Sequence, residues 1–249
     1  MKSVLSVSVL VLAAAFAAPA MAADGYLDLN YGQVGGFGTD LDRIQLGGAV
    51  STEVGASGWN VQADAQFSRL SEGGSSVSYS EGAVHAFYRD DRFAAGGYFN
   101  VGDIETIAVY GLGIEGKAFF DRATISGSIG YESLEAGPSD ADGWDGSLGA
   151  KVFITDNFTL GAGFDYADVN DSSVTTWSVG GEFKPDSMPV SFYAGYANHE
   201  ADTFFPIVGD EADMWKIGVR WNFGGGTLKD RDRSGPTMRT GSSFLNSAI

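Results

Sequence analysis

The chain has 249 residues, 15 basic against 32 acidic, a net charge of −17 at pH 7, 36 glycines, 6 prolines and no cysteine. So acidic a chain excludes a nucleic-acid footprint, which is basic, and the lack of cysteine excludes a disulfide framework. Glycine this frequent elsewhere marks flexible repeats, but here it lies inside alternating segments beside aromatics, as in Ala94-Ala95-Gly96-Gly97-Tyr98-Phe99.

The first residues read as an export signal. Lys2 is the charged start, Val4 to Phe16 an apolar run, and Ala20-Met21-Ala22 a small-x-small cleavage site, which places the cut after Ala22. The run is too short for a transmembrane anchor. Removal of Lys2 leaves 14 basic residues against 32 acidic, a net charge of −18. No later stretch approaches the roughly 18 uninterrupted apolar residues of a spanning helix.

Residues 23–223 divide into alternating segments at about 25–34, 43–52, 58–69, 78–89, 92–101, 106–118, 122–134, 143–154, 157–168, 174–184, 189–199 and 213–223. The clearest puts Trp59, Val61, Ala63, Ala65 and Phe67 on one face and Asn60, Gln62, Asp64 and Gln66 on the other. Later segments present Ile125, Ile129 and Tyr131, then Phe158, Leu160, Phe164 and Tyr166, then Trp177, Val179 and Phe183 on the apolar face. Apolar faces that repeatedly end in aromatics fit a closed sheet with lipid outside and water inside. A closed barrel is the one sheet that crosses a bilayer with every backbone group paired. The predicted fold is therefore all-β: an antiparallel, up-and-down transmembrane β-barrel of 12 strands. Ten is the alternative count, because the fourth segment is irregular. A soluble β-sandwich is the competing architecture.

Two sets of connections alternate along the chain. Short ones lie at 54–57, 90–91, 120–121, 155–156 and 185–188, and mostly longer ones at 35–42, 71–76, 135–142, 170–173 and 200–212. Short periplasmic turns and longer outer loops are usual in outer-membrane barrels, so both termini are expected on the periplasmic side and Phe204-Phe205-Pro206 outside. Residues 224–249 read as a polar, flexible periplasmic tail. A tether to periplasmic partners and a plug folded back into the lumen are the other readings.

The opening Gly25-Tyr26-Leu27-Asp28-Leu29-Asn30-Tyr31-Gly32 resembles the first strand of Gram-negative porins. The close, Lys216-Ile217-Gly218-Val219-Arg220-Trp221-Asn222-Phe223, resembles the terminal strand that the outer-membrane insertion machinery recognises, with Trp221 and Phe223 as the signal. Leu228-Lys229-Asp230-Arg231-Asp232-Arg233 is similar to the tails of small alphaproteobacterial barrels. The resemblance implies export through the Sec pathway, an outer-membrane location and contact with lipid, lipopolysaccharide and the insertion machinery. The chain is short for a general porin, and the connection 102–105 is too short to form a porin's constriction loop. Any constriction must come from wall side chains, the last loop or the tail.

Alternation turns most wall charges inward. The candidate pore-lining residues are Asp28, Arg43, Asp64, Glu81, Arg89, Arg92, Glu115, Lys117, Lys151, Asp165, Glu182, Lys184, Lys216 and Arg220, with His85, Glu132 and Asp145 on the same face. Opposed charges in one lumen create a transverse field that orients dipolar solutes. The same charges paired with one another would fill a closed barrel instead. Small barrels are filled and large ones open, and 12 strands falls between. Acidic residues dominate the long connections, among them Asp40, Asp42, Asp103, Glu105, Asp140, Asp142, Asp210, Glu211 and Asp213. Such a rim concentrates cations within a Debye length of about 8 Å, or it simply forms a solvated surface.

Asp168-Val169-Asn170-Asp171 and Asp140-Ala141-Asp142-Gly143 resemble fragments of calcium loops but lack the terminal glutamate, and turn chemistry explains them. Of the two histidines, His85 points inward on the irregular fourth segment and His199 lies beside Glu200 and Asp202 with no obvious serine nucleophile at its level, so no catalytic site, cofactor or metal is expected. The function that follows is passive diffusion of ions and small hydrophilic solutes with weak cation preference. The alternatives are a non-conducting structural or adhesive barrel and an outer-membrane hydrolase.

Overall fold

The computed structural model describes residues 24–36, 40–136, 139–170, 172–202 and 211–238. The expected signal segment, 1–22, lies outside them. Twelve strands follow in order: β1 Asp24–Gly35, β2 Leu41–Glu53, β3 Trp59–Glu72, β4 Ser75–Arg89, β5 Phe93–Ile104, β6 Ile107–Phe120, β7 Ala123–Ala136, β8 Ser139–Thr155, β9 Phe158–Val169, β10 Ser172–Phe183, β11 Val190–Ala201 and β12 Glu211–Phe223. Each pairs with its sequence neighbours, and β12 pairs with β1 from Gly25↔Phe223 to Gly35↔Asp213, which closes the barrel. The count of 12 holds and ten does not. The fourth strand is regular, paired on both edges over most of its length.

The apolar faces point outward. Leu112, Ile114, Leu148, Ile217 and Trp221 are more than half exposed, a disposition water would oppose and lipid favours. Two aromatic girdles bound this belt, one at Trp59–Tyr88 and Trp221–Phe223, the other at Tyr31–Trp215, Tyr131–Trp144 and Trp177–Tyr196. At the second girdle the tyrosine hydroxyls reach polar groups just beyond it: Tyr31 donates to Asp42 at 2.5 Å, Tyr166 to Asp168 at 3.1 Å, and Tyr196 to Asp213. An apolar ring with one wet end suits a membrane interface.

The expected difference in connection length is mostly absent. Of the residues expected in loops, 71–72, 75–76, 135–136, 139–142 and 172–173 belong to strands, and Gly73-Gly74 alone joins β3 to β4, both residues at positive φ (54° and 97°) as a type I′ hairpin turn requires. These strand ends extend past the girdle, with polar residues such as Glu72, Ser75 and Asp140 exposed and Ala141 packed on an apolar cluster inside. Phe204-Phe205-Pro206 and Asp210 lie outside the described residues.

Past Phe223 the chain turns back. A short helix, α1 (Leu228–Ser234), opens with a capping box in which the Thr227 hydroxyl accepts from Asp230 N–H and the Asp230 carboxylate accepts from Thr227 N–H. These two bonds satisfy donors a helix start leaves open. The helix buries Leu228 and Asp232 and leads residues as far as Met238 inside the barrel. The flexible tail expected for 224–249 is therefore, through Met238, a packed segment. A hydropathy reading misses this because the segment docks through charges.

Candidate functional site: the lumen and the segment that enters it

The lumen has three levels. At the end joined by the hairpin turns of β3–β4 and β5–β6, inward residues of every strand except β10 meet in one apolar cluster. Val34, Leu70, Tyr79, Ile104, Val109, Leu134, Val169 and Met214 are its larger buried members. Each has inward parity in its strand, so register alone brings them together. Inward charges alone pointed either to an aqueous lumen or to one filled by paired charges; at this end the filling is apolar instead.

At mid-height the two sides of the wall differ. Across β1–β6, long polar side chains bond one to the next. Arg43 donates to Gln45 (2.7 Å) and the Tyr79 hydroxyl (2.6 Å), Gln45 to Gln66 (2.5 Å), and Gln66 to Glu81 (3.0 Å). His85 stands between two carboxylates, Nε2 at 2.8 Å from Asp64 and Nδ1 at 2.6 Å from Glu115. With both ring nitrogens so engaged, His85 is a buried structural element. His199 Nδ1 lies 2.7 Å from the Thr176 hydroxyl, its cross-strand partner in the β10–β11 register, so pairing geometry accounts for the contact.

Across β7–β11 the inward positions are small: Ser126, Ser128, Ser147, Gly149, Gly161, Gly163, Ser178, Gly180 and Gly195. They leave a chamber of about 550 Å³. Its charged lining is balanced, with Asp28, Glu115, Asp165, Glu182 and Asp232 against Arg43, Lys117, Lys151, Lys216 and Arg220.

At the third level the tail closes on the wall. Arg231 holds Glu182 bidentately, Nη1–Oε1 at 2.8 Å and Nη2–Oε2 at 2.5 Å. Arg220 shares Glu182 at 3.3 Å, reaches Asp28 at 3.1 Å, and lies over the Tyr26 ring at 4.3 Å. Arg89 donates to the Ser234 and Gly235 carbonyls at 2.6 and 2.9 Å. Gln62 and the Met238 backbone exchange two hydrogen bonds, at 3.0 and 3.2 Å, while the Met238 side chain packs with Phe87, Ala94 and Phe119. Asp232, 3% exposed, meets Lys151, Lys117 and the Thr124 hydroxyl. Burial opposes ionisation of Asp232, but the two ammonium groups and the hydrogen bonds from Thr124 and Lys151 outweigh it and hold the carboxyl well below its ordinary range.

Of the predicted lining residues, Asp28, Arg43, Asp64, Glu81, Glu115, Lys184 and the more open Arg89, Lys117, Lys151, Asp165, Glu182, Lys216 and Arg220 do face the interior. Arg92 does not. It sits exposed in the β4–β5 turn, ahead of Phe93, and its N–H donates to Asp90. Trp221 is outward and more than half exposed on β12. Among the described residues no group of three or more ligand side chains gathers to hold a metal; Asp171, of the acidic fragment 168–171, lies outside them.

A closed sheet with a lipid-facing belt, two aromatic girdles and a polar, partly filled interior defines a transmembrane β-barrel. The outer membrane protein beta-barrel domain matches residues 8–223, and the chain belongs to that family; its place is the outer membrane. A comparison with curated proteins gave no match. Among solved structures, the NanC porin is similar over 78% of this chain and 98% of its own, at 12% identity and a TM-score of 0.62. The KdgM porin is similar over 79% and 99%, at 15% identity and a TM-score of 0.54. An anion-selective porin from Comamonas acidovorans matches over 81% and 98%, at 10% identity and a TM-score of 0.51. At such identities the likeness is one of fold.

Proposed function

We propose that this barrel is a channel for passive diffusion of ions and small hydrophilic solutes, closed in the described state by the apolar cluster at one end and the tail at the other. The observation that carries this is the chamber of about 550 Å³ walled by glycine and serine. A barrel built only to be rigid gains nothing from small residues along half its interior, since a cavity costs packing. An apolar constriction can gate by dewetting. The exposed carboxylates just beyond the tyrosine girdle, Asp42, Asp168 and Asp213, support an outward orientation for that end, with the tail in the periplasm. Export through the Sec pathway, contact with lipopolysaccharide, and recognition of Trp221 and Phe223 by the insertion machinery belong to the same reading, as does the absence of catalysis.

Planar-bilayer recording of the refolded mature chain tests it. Wild type should show sparse openings and Glu182→Gln, which loosens the tail, frequent ones. Silence of both would favour the second reading, a non-conducting structural barrel, which the closure at both ends supports. The chamber's balanced charges leave ion preference to the acidic rim. Neutralising Asp210, Glu211 and Asp213 together should reduce a weak cation preference at low salt and change little at high salt, because exposed charges are screened.

A further inference from the structure

Three consecutive strands deliver Lys117 (β6), Thr124 (β7) and Lys151 (β8) to one spot on the inner wall, in the registers Lys117↔Ser126 and Thr124↔Lys151. Asp232 of the tail fills that spot. Its Oδ1 takes Lys151 at 2.9 Å and Lys117 at 3.7 Å, and its Oδ2 takes the Thr124 hydroxyl at 2.6 Å. Both carboxylate oxygens are thus engaged by wall groups, and the carboxylate is 2% exposed. Two ammonium groups side by side repel unless an anion lies between them, and the carboxylate paired with both comes from the tail. All three wall residues border the chamber, continuous with Ser126 and Ser128.

We propose that Lys117, Lys151 and Thr124 form a binding site for a solute carboxylate on the channel wall, and that Asp232 occupies it as an internal stand-in. A carboxylate arriving in the lumen then competes with the tail and favours its release. The site rests on the channel reading and names the solute class that reading leaves open. A ligand shifts a two-state segment only by binding one state better than the other, and here it binds the state in which Asp232 has left. The remaining tail contacts, Arg231 with Glu182 and Gln62 with the Met238 backbone, give the segment a way back when the solute leaves.

The chain has no cysteine, so Thr237→Cys in the full-length mature protein supplies a single thiol, at a position 6% exposed when the tail is docked. Its labelling rate by a charged maleimide reports release. Sodium lactate should raise that rate about tenfold over sodium chloride of equal ionic strength, which requires a differential affinity of only about 1.4 kcal/mol. Glycerol at equal concentration should have no effect. Adding Asp232→Asn should raise the rate without lactate, and Lys117→Gln with Lys151→Gln should raise it and abolish the lactate response. Heat-modifiable migration confirms that each variant is folded. Equal acceleration by lactate and chloride, or a lactate response that survives loss of both lysines, would overturn the site. Single-channel recording of the same proteins separates the two claims. Conduction without a lactate response defeats the site alone, and a lysine-dependent lactate response in a silent barrel defeats the channel alone.

Discussion

The inner walls of β1–β6 and of β7–β11 alternate in the same way and are both polar, yet one is packed and the other hollow. On the first, Arg43, Gln45, Gln66 and Glu81 bond in series while Gln62 and His85 both reach Asp64, and most of these are under 5% exposed. On the second, serine and glycine occupy the corresponding rows. Side-chain volume separates the two. The packed half holds the shape of the barrel through bonds that lose strength if one member is removed. The hollow half depends on the backbone ladder and the lipid face, which leaves its interior free for a solute.

The largest expected effect strikes the packed half. Asp64→Ala strips a buried carboxylate from His85 and should cost about 3–5 kcal/mol, the usual penalty for breaking a buried pair. Ser178→Ala on the hollow wall should stay within about 0.5 kcal/mol. Urea unfolding in phospholipid vesicles measures both, and similar costs would break the comparison.

The hollow wall is one residue thick, so its two faces should differ next most strongly. Leu160, half exposed, faces lipid, and Thr159, 5% exposed, faces the chamber. Leu160→Arg should destabilise by about 2–4 kcal/mol near the midplane. Thr159→Arg should fold nearly as wild type, its guanidinium hydrated in the chamber. Equal loss of the heat-resistant folded form would mean that the register is wrong.

A phenylalanine should be received differently by the two walls. A Cβ at Gly161 would meet its nearest atom at 3.4 Å, an ordinary contact, so Gly161→Phe can project into the chamber. It should lower unit conductance by about half while leaving stability nearly unchanged, since an aromatic side chain is bulky enough to fill much of such a passage. Ala83→Phe, at an inward position 2% exposed on β4, should overpack and cost about 1–3 kcal/mol. Undiminished conductance in Gly161→Phe would place the ion path away from the chamber.

The smallest effect concerns acid. Undocked, Asp232 titrates near the ordinary aspartate value of about 3.9; docked, it is held well below that. Its contribution to docking is therefore fully present above the undocked value and is lost as pH falls through the docked one. A nitroxide at Ser234→Cys should stay immobile from neutral pH down to about pH 4, where an ordinary aspartate is half protonated, and loosen only in stronger acid. Mobilisation between pH 7 and pH 5 would show that other groups hold the tail.

The sequence by itself determined the barrel. Period-two alternation with aromatics at both ends of segments such as 59–67 and 213–223 fixes which side chains meet lipid, and the face of a strand residue is a local property. The same alternation put Asp28, Glu115, Lys117 and Glu182 inside. The apolar cluster was legible in principle, because Val34, Leu70, Ile104 and Val109 share inward parity, but its height emerges only when the registers of all strands are combined. Arg92 was misplaced because a strand boundary shifted by one residue moves a side chain from wall to turn. The tertiary structure alone decided that the lumen is half filled, that β3 and β4 close tightly through Gly73-Gly74 where a loop was expected, and that Asp232 meets Lys117 and Lys151. Those contacts join residues some 80 to 115 positions apart. Their energy comes from placing charges together out of water, which depends on distance and burial across the lumen rather than on any neighbour in the chain.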